Sequence, residues 1–152
     1  MIKLFRVDFR LLHGQIAFGW ANMVGADCIL LASDSLIQDE VRKSVVKLSK
    51  PTGVKLVIKS LNDSVEALNS GVTDKYKLMV IVETVKDAAY LAEKCECFKS
   101  LNIGNTPPIP NSETIGYAVR LTKDDKLLIE NMKKKGLEVE VRHNSSDKKI
   151  VL

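Results

Sequence analysis

The chain has 152 residues, enough for one folded domain with a substantial core. Hydrophobic residues make up 45% and charged residues 28%, a balance that excludes a disordered or fibrous chain. No apolar run nears the roughly 18 residues of a membrane span, and the net charge of +4 is a mild excess with no basic stripe interleaved with aromatics, so nucleic acid is not an expected partner.

Met1 leads directly into a strand pattern, so no signal peptide is expected. The three cysteines give no zinc-type spacing and are odd in number. Cys28 reads as a small buried hydrophobe, and Cys95 and Cys97 as free thiols at a helix end. That usage suits a reducing cytoplasm, and no metal site is expected.

The first strand, taken as extended through Arg10, puts Arg6, Asp8 and Arg10 on one face and Val7, Phe9 and Leu11 on the other. Gly14 allows a tight turn, and from Gln15 the residues Ile16, Trp20, Met23 and Val24 recur at helical spacing. Asp27 to Ala32 reads as a buried strand, followed by Ser33-Asp34-Ser35 as helix N-cap chemistry. The next helix is expected to turn Val41, Val45, Val46 and Leu48 inward, and Pro51-Thr52-Gly53 stops it. Val54 to Ile58 is a third strand, and a short helix with Val65 and Leu68 ends near Gly71. Lys77 to Val82 is the most apolar strand, expected at the centre, with a helix from Thr84 to Lys94 after it. Leu101 to Ile103 runs into Gly104. The segment from Asn105 to Asn111 holds three of the four prolines and must be irregular. A strand near Tyr117 to Arg120, a helix from about Thr122 to Lys135 with a Thr122/Asp125 capping box, and a last strand from Leu137 to Val141 complete the chain.

Alternating strands and helices with short joins predict an α/β fold: one three-layer α/β/α domain over residues 1–152. Its open, mostly parallel sheet has about seven strands, with helices on both faces. Ligands bind such sheets at the carboxyl ends of the strands, where His13, Asp34 and the Gly104 loop all fall.

His13 carries the functional signal. It stands at or just before a helix N-terminus, where free amides and the helix dipole favour an anion, and two arginines precede it. A histidine so placed suits receiving a phosphoryl group, a reaction that depends on positioning and charge stabilisation. Arg10 is the expected clamp on the phosphoryl oxygens. Arg6 is expected to pair with Asp8, and Asp8 to orient Arg10 or the His13 ring by a hydrogen bond. Gly14 and Gln15 offer backbone N–H groups. Trp20 reads as core, His143 as a solvated histidine, and the Pro107–Pro110 loop as a rim that meets partners.

The stretch Arg6-Val7-Asp8-Phe9-Arg10-Leu11-Leu12-His13-Gly14-Gln15-Ile16 resembles the phosphorylation-site segment of the IIB subunits of the mannose/fructose/sorbose family of the bacterial sugar phosphotransferase system. Pro51-Thr52-Gly53-Val54 resembles a recurrent turn of that family. Asn102-Ile103-Gly104 resembles its Asn-x-Gly-Gly loop close to the histidine, with Asn105 in place of the second glycine. The resemblance implies a phosphocarrier in which His13 takes a phosphoryl group from phosphohistidine on IIA and passes it to a sugar bound by the membrane subunits IIC and IID. It implies a location at the cytoplasmic side of that permease and no cofactor beyond the transient phosphohistidine. Assembly into a homo-oligomer is left open, because each helix shows one apolar face and the sheet already needs it. Two other functions remain open on the residues alone. One is a hydrolase or mutase acting on a small phosphoester. The other is a nucleotide-binding or regulatory domain, although neither a Gly-x-Gly-x-x-Gly run nor a P-loop is present.

Overall fold

The computed structural model describes residues 1–152. Its elements in chain order are β1 (Ile2–Asp8), α1 (Gly14–Val24), β2 (Cys28–Ala32), α2 (Asp34–Ile37), α3 (Glu40–Leu48), β3 (Lys55–Lys59) and α4 (Leu61–Ser70). They continue with β4 (Leu78–Val82), α5 (Val85–Lys94), β5 (Ser100–Asn105), β6 (Glu113–Ile115), β7 (Val119–Leu121), α6 (Lys123–Lys134), β8 (Glu138–Val141) and β9 (Ile150–Val151). Seven strands form one sheet in the order β3-β2-β4-β1-β5-β8-β9. Every pairing in it is parallel except β8 with β9. No helix is long and apolar enough to cross a membrane.

The alternation of side chains along each strand divides the core into two layers. On one face Met79 and Ile81 of β4 and Ile29 and Leu31 of β2 pack with Ala17, Trp20, Leu36 and Val46 from α1, α2 and α3. On the other, Leu78, Val80 and Val82 pack with Phe5, Val7, Leu68, Leu91 and Ile129, bringing in α4, α5 and α6. β4, wholly buried, feeds both layers, which is why its sequence is an unbroken apolar run.

Four expectations need correction. The first strand ends at Asp8, because Leu11 N–H bonds to the Asp8 carbonyl at 2.8 Å and Arg10 N–H to its carboxylate at 3.0 Å, closing a turn. That turn drives Leu11 to φ 59° and into the α1–α3 layer, opposite Val7, so the two do not share a face. Of the apolar residues expected inward on α3, only Val46 is buried; Val41, Val45 and Leu48 are 75%, 56% and 88% exposed. Asp39 caps α3 separately from α2, and α3 is rotated so that the i, i+4, i+7 stripe faces outward. The chain does not end at β8: β9 returns antiparallel, and Leu152 N–H bonds to the Val139 carbonyl. Lastly, β6 pairs with β7 as a small antiparallel ribbon that the irregular proline segment leads into. Capping chemistry is as expected at α6, where Thr122 and Asp125 form the reciprocal box.

Candidate functional site

The site is built where β1, β5 and β8 end beside the start of α1. Arg6, on β1, is 1% exposed and points into the layer between these strands and α1. Its guanidinium donates to Asp8 Oδ2 at 3.0 Å, to Asn102 Oδ1 at 2.6 Å and to the Arg142 carbonyl at 3.1 Å. Asn102 in turn donates from Nδ2 to the same carbonyl. A side chain at position 104 would collide with this group, since a Cβ there would lie 2.0 Å from Arg6 Cζ, so the glycine makes room for the guanidinium. Trp20 closes the layer from α1, its ring 5.3 Å from Arg6 Cζ and 4.8 Å from Arg142 Cζ.

Asp8 is the junction of the site. Besides Arg6 and the Arg10 amide, it contacts His13 Nε2 at 3.1 Å through Oδ2. Burial pushes the Asp8 carboxyl up, but the His13 hydrogen bond, the Arg6 charge and the Arg10 amide outweigh it and hold the group below its ordinary range. Burial likewise pulls the Arg6 guanidinium down, against the opposing pull of Asp8. An ionised carboxylate only accepts, so Nε2 carries the hydrogen of this contact, and in the neutral imidazole the lone pair is on Nδ1.

His13 is the N-cap of α1, with extended backbone (φ −151°, ψ 130°), and its own side chain makes no capping bond. The first helical bond runs from Ala17 N–H to the His13 carbonyl, so the amides of Gly14, Gln15 and Ile16 have no partner within the helix. Gly14 takes φ 42° at this entry. The His13 side chain is 16% exposed. Arg10 lies on the turn between Asp8 and His13, exposed and without an ion pair.

The expected residues therefore fall into two groups. His13, Arg10, Gly14 and Gln15 stand at the surface, whereas Arg6, Asp8 and Asn102 are buried beneath them. Gly104 is buried with this second group and leaves the space that Arg6 fills. Asn105 ends β5 without a left-handed φ and accepts from Phe9 N–H, so no glycine is needed there. Asp34 is not the cap of α2, which is Ser33; Asp34 instead accepts from Leu61 N–H at the start of α4.

Three participants escaped the sequence reading. His143 is not a solvated histidine: its Nδ1 bonds to the Gly104 carbonyl at 2.9 Å, and its own carbonyl accepts from Trp20 Nε1 at 3.0 Å. Arg142 supplies a carbonyl to Arg6 and a guanidinium to Trp20. Glu83, just past β4, gathers Ser33, Ser35 and Arg42 on the other side of β1. Only the strand order, which sets β8 and β4 near β1, brings these residues into the same rim.

Comparison with known proteins decides the family. The family model of the PTS system sorbose subfamily IIB component matches residues 2–152. The chain belongs to this IIB family. Among similar proteins, the fructose-specific EIIB component of Bacillus subtilis (strain 168) is 31% identical over 96% of the chain and 90% of its own length. The mannose-specific EIIAB component of Escherichia coli (strain K12) is 27% identical over 99% of the chain, which spans 46% of that longer protein. In structure, the IIBSor domain of the sorbose permease from Klebsiella pneumoniae superposes with a TM-score of 0.92 at 25% identity, covering 99% of this chain and 92% of the other. The protein is thus a IIB component of the phosphotransferase system, acting in sugar phosphotransfer.

Proposed function

We propose that His13 is the residue through which this IIB component carries the phosphoryl group. The observation that carries the reading is the His13–Asp8 contact at the N-terminus of α1. In the neutral imidazole it puts the lone pair on Nδ1, on a residue that begins a helix with unpaired amides and follows the unpaired Arg10 by three positions. In the first step Nδ1 attacks the phosphorus of a phosphohistidine on IIA, the donor's N–P bond breaks, and the donor imidazole leaves. Arg10 closes on the transferred oxygens, and the Gly14 and Gln15 amides take part of their charge. In the second step a sugar hydroxyl, held by the membrane subunits IIC and IID, attacks the same phosphorus and passes its proton to solvent, while His13 leaves with the electrons of the N–P bond. The fusion of A and B components in the E. coli relative supports a IIA partner. The relatives are named for fructose, sorbose and mannose, so their names fix no single sugar. The Pro107–Pro110 loop follows the carboxyl end of β5, is tied to the ribbon by Thr106, and forms part of the rim that meets these partners.

The deciding experiment is intact mass after incubation with phosphoenolpyruvate, enzyme I, HPr and a family IIA, with and without His13→Ala. The expected result is one acid-labile phosphoryl group that needs IIA and vanishes in the variant, with its phosphorus NMR signal that of an Nδ1 adduct. His13→Ala also takes one hydrogen bond from the buried Asp8 carboxylate, so the variant should fold but melt below the parent, while Arg6 and the Arg10 amide still hold Asp8. Phosphorylation that survives in His13→Ala would refute the assignment.

A further inference from the structure

On the side of β1 away from β5, the rim carries an ion pair that the transfer steps above do not use. Glu83 follows β4, the strand next to β1. Its Oε1 accepts from Ser33 Oγ at 3.0 Å and Ser35 Oγ at 2.6 Å, and its Oε2 from the Arg42 guanidinium at 3.0 Å. Arg42 also donates to Ser35 Oγ at 3.1 Å. The ends of β2 and β4 and the starts of α2 and α3 thus meet at one carboxylate.

Strand register sets this carboxylate beside Asp8. Val82 lies opposite Val7 on one side and Ala32 on the other, and all three belong to the α4–α6 layer. The next residues, Asp8, Glu83 and Ser33, therefore turn to the α1–α3 face. Their contacts agree: Asp8 meets His13, and Glu83 meets residues of α2 and α3. Adjacent strands are about 5 Å apart, so a phosphoryl group on His13 comes within roughly one Debye length of Glu83, about 10 Å at 0.1 M salt. Asp8 has Arg6 to balance it. On the Glu83 side the balance is thinner. Burial, Glu83 and Asp34 push the Asp87 carboxyl up, against a Thr84 hydrogen bond and the Lys86 charge, so three carboxylates interact on this flank. Arg42 is the only cationic side chain in an ion pair with any of them.

We propose that Arg42 is a positioning residue for the phosphoryl transfer, acting through Glu83. It cancels a carboxylate that would otherwise repel the dianionic phosphoryl group as a donor brings it to His13. This rests on the reading of His13 as the phosphoryl carrier. An exposed ion pair contributes little to stability, but Glu83 is only 22% exposed, and Ser33 and Ser35 fix its other oxygen. The two surface arginines then divide the work. Arg10 is unpaired and can close on the group, whereas Arg42 stays on Glu83 and neutralises the flank.

The test is the second-order rate of phosphorylation by phospho-IIA, read by rapid quench and intact mass for the parent, Arg42→Ala, Glu83→Gln and the double variant. At about 0.01 M ionic strength, Arg42→Ala should be slower by about three- to tenfold. The deficit should fade towards about 1 M, where the Debye length is about 3 Å. Glu83→Gln keeps an oxygen acceptor for the two serines and should transfer at the parent rate or faster. The double variant should recover to within about twofold of the parent, although it has lost more contacts than Arg42→Ala. Parent rate in Arg42→Ala would overturn the proposal. So would a deficit that persists at high salt, or a double variant as slow as Arg42→Ala, since either outcome marks a structural role or direct contact with the phosphoryl group. His13→Ala runs alongside. Phosphorylation that survives in it removes the His13 reading and this inference together, whereas parent rate in Arg42→Ala with His13 still required removes this inference alone.

Discussion

Arg6 and Asp8 are both buried, and each depends on the other to offset the cost of leaving water. Removing one member of such a pair strands the other's charge, at a cost of about 3–5 kcal/mol. The Asp8 carboxyl is held below its ordinary range in the folded chain. Its ionised form therefore stabilises the fold above the unfolded value, and that stability is lost as pH falls through the lower, folded one. Asp8→Asn keeps the shape and removes the titration. The melting temperatures of parent and variant should differ most near neutral pH and converge through the acid range. A gap that stays constant with pH would show that Asp8 contributes no titration-linked stability. Arg10 presents the opposite case, exposed and unpaired in the resting protein. Arg10→Ala should move stability by less than about 0.5 kcal/mol. It should slow transfer from IIA by about ten- to a hundredfold, the equivalent of about 1.5–3 kcal/mol for an oriented charged contact. Transfer at the parent rate would remove Arg10 from the mechanism.

At the scale of elements, the site depends on how closely β1 and β5 approach on the α1 side. Gly104→Ala tests this, because the added carbon falls on the Arg6 guanidinium. Overpacking of this kind costs about 1–3 kcal/mol. The displaced arginine should also loosen Asp8 and slow phosphorylation of His13, with denaturant unfolding and transfer rate as the two readouts. An unchanged rate beside reduced stability would confine Gly104 to packing. The same elements show what was legible in the sequence. β4 could be read directly, since a strand covered on both faces must be apolar throughout. The helix start at His13 was equally plain. The end of β1 was not, because one carboxylate, by accepting from Arg10 N–H, turns a chain that local pattern would continue. On α3 the spacing of Val41, Val45 and Leu48 reports a helical face, but spacing is silent on whether anything covers it. The tether from His143 to Gly104 joins residues 39 apart through strand order, which no local pattern encodes. β9, with two residues, is too short for alternation to register.

At the scale of the molecule, one sheet serves two apolar layers, and strands such as β4 contribute to both. Losing either set of helices would expose an entire face of that sheet, so neither layer is stable alone and the chain should unfold as a unit. The only tryptophan makes this testable. Trp20 is buried in the α1–α3 layer, and its indole bonds to the His143 carbonyl beyond β8. Its fluorescence therefore reports that layer and its link to the far side of the sheet. Far-ultraviolet circular dichroism also weighs α4, α5 and α6, which cover the opposite face. Thermal or denaturant curves from the two signals should coincide. An earlier fluorescence transition would mean that α1, and the phosphoryl site at its N-terminus, opens while the α4–α6 layer still holds the sheet. His13 would then be carried by a separately stable part of the fold. Trp20→Phe removes the indole hydrogen bond and also shrinks the buried ring over Arg6 and Arg142, so it should cost more than the about 1 kcal/mol of one hydrogen bond, with dichroism following a single transition at a lower midpoint.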